Sequence, residues 1–159
     1  MRHLSIGLLA ALASASLLGC SKTKEAATPT PNASYTFDGQ PRQAVASQAF
    51  VSDYGYDRIT LTLTTVPEPG SGPETLSLNY WKVIGQPTSA YELRSTGGMS
   101  MKQGSGYWMN VQPASSTPSF SSGGGISGTF AGEVRSSNGN GTYTVNHTIT
   151  AGTFTDVRP

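Results

Sequence analysis

The chain has 159 residues, only 12% of them charged, and contains 19 glycines, 10 prolines and a single cysteine. That length suits one folded domain and is small for two. The formal net charge is +1, and it falls to nine basic against nine acidic side chains once the first 19 residues are set aside. This balance argues against a nucleic-acid or polyanion partner, which needs a concentrated basic patch, and one cysteine excludes an internal disulfide.

The chain opens with a short basic start, Met1-Arg2-His3, followed by an uncharged apolar run over residues 4–18. Those are the n-region and h-region of a secretory signal, and the run is shorter than the roughly 20 apolar residues that span a bilayer. It ends in Leu17-Leu18-Gly19-Cys20, which resembles the lipobox of bacterial lipoproteins, a small residue preceding the cysteine that receives diacylglycerol. The expectation is a signal peptide over residues 1–19, cleavage before Cys20, and lipidation of Cys20. An ordinary cleaved signal with an incidental cysteine is the plainer alternative. One acyl chain anchors only marginally, whereas two or more hold a protein stably on a membrane.

Residues 20–34 carry the lipidated cysteine and a Thr-, Ala-, Pro- and Lys-rich stretch with little to bury, the composition of a disordered linker. Ser21 is not the Asp that, by resemblance to enteric lipoproteins, favours inner-membrane retention. An outer-membrane destination follows as the expectation, with either face open.

Residues 35–159 are expected to form one β-domain, because the apolar positions are mainly aromatic or β-branched and Gly, Ser and Thr fill the intervals. A first strand and turn are read at residues 35–40 and a second strand at 44–51. Strict alternation over 58–64 sets Ile59, Leu61 and Leu63 against threonines, as in a half-buried strand. After a Pro/Gly break over 66–73, alternation resumes at 75–84 and blurs from Trp81; the two runs read as a hairpin. Shorter strands are expected at 90–93 and 106–111. Residues 126–135 place Ile126, Gly128, Phe130, Gly132 and Val134 on one face, and 142–150 place Tyr143, Val145, His147 and Ile149 on one face, joined by the Asn/Gly turn at 136–141. Gly152 permits a bulge before a last short strand at Phe154 and Val157. About eight short strands at this spacing predict an antiparallel β-sandwich, with a lipocalin-like closed barrel as the alternative that periodicity leaves open.

The segments Ile126-Ser-Gly-Thr-Phe-Ala-Gly132 and Ile149-Thr-Ala-Gly-Thr-Phe154 resemble the ending of a family of uncharacterised bacterial lipoproteins. The resemblance implies a β fold and an envelope location, and it brings no catalytic residues.

Candidate chemistry is sparse. His147, the only histidine after His3, sits between Val145 and Ile149, so a hydrogen-bonded core or edge histidine is the plainer reading than an acid, base or ligand. Asp53 and Asp57 flank a Tyr-Gly-Tyr turn, where solvated turn-stabilising carboxylates are the plainer reading than a calcium or acid/base pair. There is no Gly-x-Ser-x-Gly elbow, no phosphate loop and no zinc ligand set, so no catalytic residue, metal or cofactor is assigned. The aromatics exceed what the inward faces need, and Trp81, Trp108 and Tyr107 are the candidate ligand platform, against the plainer reading that such rings cover a core. The functional expectation is a non-catalytic envelope lipoprotein that binds or scaffolds a protein or glycan partner. A dedicated small-ligand or glycan module is the alternative, and a hydrolase ranks last.

Overall fold

The computed structural model describes residues 29–66, 72–104, 109–137 and 143–159. Nine strands are formed: β1 (Ala33–Phe37), β2 (Gln40–Asp53), β3 (Tyr56–Thr65), β4 (Glu74–Val83), β5 (Glu92–Leu93), β6 (Met99–Gln103), β7 (Met109–Phe120), β8 (Ile126–Ser137) and β9 (Tyr143–Val157). All pairings are antiparallel, in the order β3-β2-β1-β9-β8-β7-β6-β4-β5, and β3 also pairs with β4 along nearly its whole length. That pairing joins the two ends of the sheet. The architecture is a closed eight-stranded barrel with β5 as a short addition, and the expected sandwich is corrected to its alternative.

Closure depends on long, staggered strands. β2 gives its first residues, Gln40 to Ala44, to β1 and the rest to β3, while β9 pairs with β8 along its length and with β1 over its second half. Such staggering is the shear that a barrel of tilted strands requires. Two tight hairpins set the register, with positive φ at both central residues of Asp38-Gly39 and Tyr54-Gly55. This is the primed turn geometry that matches strand twist. The segment over residues 152–157, expected as a separate strand, is continuous with β9 and carries bulges, with Ala151 at φ +51°.

Prolines within β7 fit because they meet little competition for hydrogen bonds. β6 covers only Met109 to Val111 on one side, and on the other Pro113 and Pro118 stand opposite Gly132 and Gly128. Of the strand expected at 106–111, residues 106–108 lie outside the described residues and the rest belongs to β7, which extends to Phe120; β6 is an element that periodicity did not reveal.

The lumen is filled. Leu61, Leu63, Leu76, Leu78, Met99, Met101 and Ile149 are fully buried, with Tyr35, Tyr80, Phe130 and Phe154 between them. Two rings and two glycines interlock across β8 and β9. A Cβ on Gly152 would lie 2.5 Å from Phe130, and one on Gly128 would lie 2.9 Å from Phe154. The two phenyl centroids are 6.2 Å apart. The Gly-Thr-Phe repeats thus have a packing cause: each ring occupies the space above the other strand's glycine. The outward rows hold Thr60, Thr62, Ser77 and Asn79, with a hydrogen bond of 2.8 Å from Thr60 Oγ1 to Asn79 Oδ1. Apolar inside and polar outside is the reverse of a membrane-spanning barrel. No helix of the described residues is long and apolar enough to cross a membrane.

Charged groups collect at the two mouths. At one end the Glu74 carboxylate accepts from Arg42 Nε at 3.1 Å, Tyr35 Oη at 3.3 Å and Gln103 Nε2 at 3.4 Å. Burial, and then the Glu74 charge, raise the Tyr35 hydroxyl above the ordinary tyrosine range. At the other end, capped by Tyr54, the Lys82 ammonium pairs with Asp57, which also accepts from Ser52 Oγ at 2.7 Å. Lys82 occupies an inward position of β4, which is why the alternation blurs there.

Candidate aromatic and arginine site

Of the three expected platform residues, Tyr107 and Trp108 lie outside the described residues, as does Cys20. Trp81 is described, and it stands on the outer face of β4 as its alternation with buried Tyr80 requires. The β3–β4 register sets Arg58 directly opposite Trp81 and Tyr56 opposite Val83. Arg58 Cζ lies 4.9 Å from the Trp81 ring centroid, and Tyr56 meets the indole edge-on at 6.4 Å.

A second guanidinium arrives from the segment after β5. Glu92 pairs with Trp81, and the chain then turns tightly through residues 95–97 so that Gly97 and Gly98 both bond to Asn79. Only glycine fits at position 98, because a Cβ there would sit 2.1 Å from the Arg94 carbonyl oxygen. This tight turn lays Arg94 back across the platform. Its Cζ is 4.6 Å from the Tyr56 centroid and 5.1 Å from Trp81. Two guanidiniums and two rings therefore stack on the outside of the barrel.

The electrostatics are unusual for a structural cluster. Neither Arg58 nor Arg94 has a carboxylate partner among the described residues, although five other charged pairs form. Arg58 Nε and Trp81 Nε1 are buried without a hydrogen-bond acceptor among those residues. An unmatched buried donor costs about 1–3 kcal/mol, and each cation–π contact returns about 0.5–1 kcal/mol at an exposed site. The stacking offsets that cost only in part.

Arg94 lines a shallow groove with Glu92, Ser95 and Thr96, and Ser95 and Thr96 also border a neighbouring groove of about 550 Å³ with Asn110, Gln112 and Arg135. Arg135 is held there by Glu133, with Nη2 to Oε2 at 2.6 Å. Planar faces, guanidinium edges and amide donors in one strip are the groups that hold a hydroxylated or anionic ligand against a surface.

The remaining candidates do not gather into one cleft. Asp57 faces inward and is bonded to Lys82 and then Ser52, which together hold its carboxyl below the usual range. Asp53 is on the outward-facing row of the same hairpin, across from Tyr56. His147 is at the opposite end. It lies in the rim row, stacked at 5.1 Å on Phe37, with Nδ1 donating to Asp38 Oδ2 at 2.6 Å. A bulge between Val145 and His147 turns Val145 outward, so the shared face expected for residues 143–149 is broken. Among the described residues no three His, Cys, Asp or Glu side chains come together.

Sequence reasoning singled out Trp81 and did not single out Arg58 or Arg94, which the structure places against it. The signal for Arg58 was present in the alternation, since it occupies the outward row of β3. Comparison with protein-family models, with curated proteins and with solved structures returned no match.

Proposed function

We propose that this chain is a non-catalytic binding module of a bacterial outer membrane, anchored by lipid on Cys20, whose ligand surface is the outer face of the barrel around Trp81. The observation that carries the reading is the stack of Arg58 and Arg94 on the half-buried rings of Trp81 and Tyr56, two guanidiniums without a carboxylate partner among the described residues. The lipobox and the likeness of the C-terminal hairpin to uncharacterised envelope lipoproteins support the location. The meander is of the lipocalin-like kind, but its filled lumen turns the binding role to the outside. The favoured ligand is an envelope glycan, because rings stack on sugar faces while arginine, asparagine and glutamine bond hydroxyl or acidic groups.

Calorimetric titration of the acylated protein with neutral and acidic envelope oligosaccharides tests this. Trp81→Ala and Arg94→Ala should each weaken binding by about tenfold or more, the equivalent of roughly 1.4 kcal/mol. Equal affinity in wild type and Trp81→Ala contradicts the platform. No binding by wild type removes the glycan reading and leaves a protein partner, sought by photocrosslinking from position 92.

A further inference from the structure

The end of the barrel that carries Tyr54 is apolar in an unusual way. Seven large hydrophobic side chains are exposed among the described residues, and five of them are Phe50, Val51, Tyr54, Val83 and Ile84. The β2–β3 register places the first three on one hairpin, and the amide of Ile84 bonds to the Gly55 carbonyl at 3.1 Å, which draws the end of β4 beside the hairpin tip. Phe50 belongs to the inward row with Ile59 yet is 57% exposed. The cause is topological. β1 pairs with β2 only as far as Ala44, and past Asn32, which bonds to Ala46, no described strand continues β1 beside the last residues of β2.

Tyr54 departs furthest from local preference. It is 96% exposed and has φ +47° at the first centre of a primed turn, a position that suits Asn, Asp or Gly. A bulky ring held in a strained backbone at a tip, in full contact with water, is selected for something other than stability. Of the two carboxylates flanking the tip, Asp57 is paired with Lys82 and Asp53 forms no ion pair among the described residues.

The chain enters the barrel from this same end. β2 climbs from Gln40 to Asp53 and β1 runs antiparallel to it, so β1 enters from the tip side, with Asn32 beside Ala46. Twelve residues lie between Cys20 and Ala33, thirteen steps of chain with a reach of at most about 45 Å. From Ala44, beside Ala33, to Asp53 is nine residues of strand, roughly 30 Å. A lipid on Cys20 therefore lets the tip meet the membrane that holds it.

We infer that the β2–β3 tip, through Phe50, Val51, Tyr54, Val83 and Ile84, docks into the surface of the membrane to which the chain is anchored. Amphipathic Tyr54 suits the interface, with its ring among acyl chains and its hydroxyl among headgroups. Trp81 and Arg58 share a row with Val51 and lie about 7 Å along the strands from the Tyr56 and Val83 row. Docking thus aims the binding face at material carried by that membrane. The inference rests on the lipid-anchored reading of Cys20.

Because Cys20 is the only native cysteine, a new thiol on the acylated full chain can be labelled alone. An environment-sensitive fluorophore is placed on Tyr54→Cys and, at the far end, on Gln40→Cys. Each protein is reconstituted into phosphatidylethanolamine and phosphatidylglycerol vesicles containing doxyl-labelled lipid. Docking predicts a blue shift and several-fold stronger quenching at position 54 than at position 40, reduced when Val51, Val83 and Ile84 are replaced by Ser in a chain of unchanged circular dichroism. Equal, weak quenching at both positions overturns the docking, as does shielding of position 54 without lipid quenching, which would assign the tip to a second copy. Intact mass of the same sample reports acylation separately. Quenching at position 54 in a chain without acyl mass would remove the anchor and retain the docking.

Discussion

At the Glu74 end the barrel gives its charged groups partners, whereas at the Tyr54 end, beside the paired Lys82 and Asp57, it leaves apolar side chains in water and guanidiniums without a carboxylate among the described residues. Glu74 takes three donors, and Asp38 accepts from both His147 and the Thr148 amide. Across the barrel, Arg58 Nε and Trp81 Nε1 find no acceptor among the described residues, and Phe50 is exposed. Both ends derive from the same alternating strands. A sequence selected for stability alone would treat them alike, so the difference marks the Tyr54 end as the one that meets something else.

The comparison is broken most severely through the wall that supports both ends. Phe130→Ala should cost about 3–5 kcal/mol, and Gly152→Ala, which forces a Cβ against the Phe130 ring, about 1–3 kcal/mol. Denaturant melts of the two variants check the order. If Gly152→Ala proves neutral, the interlock is not what holds β8 to β9.

Titration sharpens the contrast next. Burial pushes the Tyr80 hydroxyl up to about 12, partly opposed by its bond to Ser116. A raised value means that the protonated form is favoured on folding. Its stabilisation is complete below the ordinary tyrosine value of about 10 and is lost as pH rises toward 12. Asp38 is held low by its bond to His147 and then by the Thr148 amide, and Asp57 by Lys82 and then Ser52. Their stabilisation is present above the usual carboxylate range and fades as pH falls through their depressed values. Thermal melts across pH should therefore decline at both extremes. Asp38→Asn and Asp57→Asn should flatten the acid limb, and the alkaline limb should remain.

The smallest expected effect has the opposite sign. Tyr54→Asn relieves the left-handed strain at the tip and should stabilise the fold by up to about 1 kcal/mol. A destabilised Tyr54→Asn would mean that the ring supports the barrel, and the tip would lose its claim to a role outside it.

Much of this was legible in the chain. The threonine alternation of β3 is a local signal and produced the expected strand; the Asn/Gly turn after β8 falls largely outside the described residues, and β8 and β9 on either side of it pair antiparallel. Closure was not legible, because it depends on β1 meeting β9 and β3 meeting β4 in a particular stagger, which no single strand encodes. β6 escaped because Met99-Ser-Met-Lys-Gln is short and ends in polar residues at a barrel mouth. Inward Glu74 and Lys82 misled for the same reason: at a mouth, an inward position still meets water and a counter-charge. Trp81 stood out by polarity against its neighbours. Alternation marks Arg58 as outward, but its place against Trp81 follows only from the β3–β4 register, and that of Arg94 only from the Gly98 turn that folds it back.

The central claim is that the Tyr54 end is the working end of the molecule. Hydroxyl-radical footprinting of the acylated protein in isolated envelopes, compared with the same protein purified in detergent, tests it directly. The account predicts reduced oxidation of Tyr54, Tyr56 and Trp81 in envelopes, with Phe37 and His147 at the other end unchanged. Equal oxidation of all five in the two settings, or protection confined to Phe37 and His147, would contradict it.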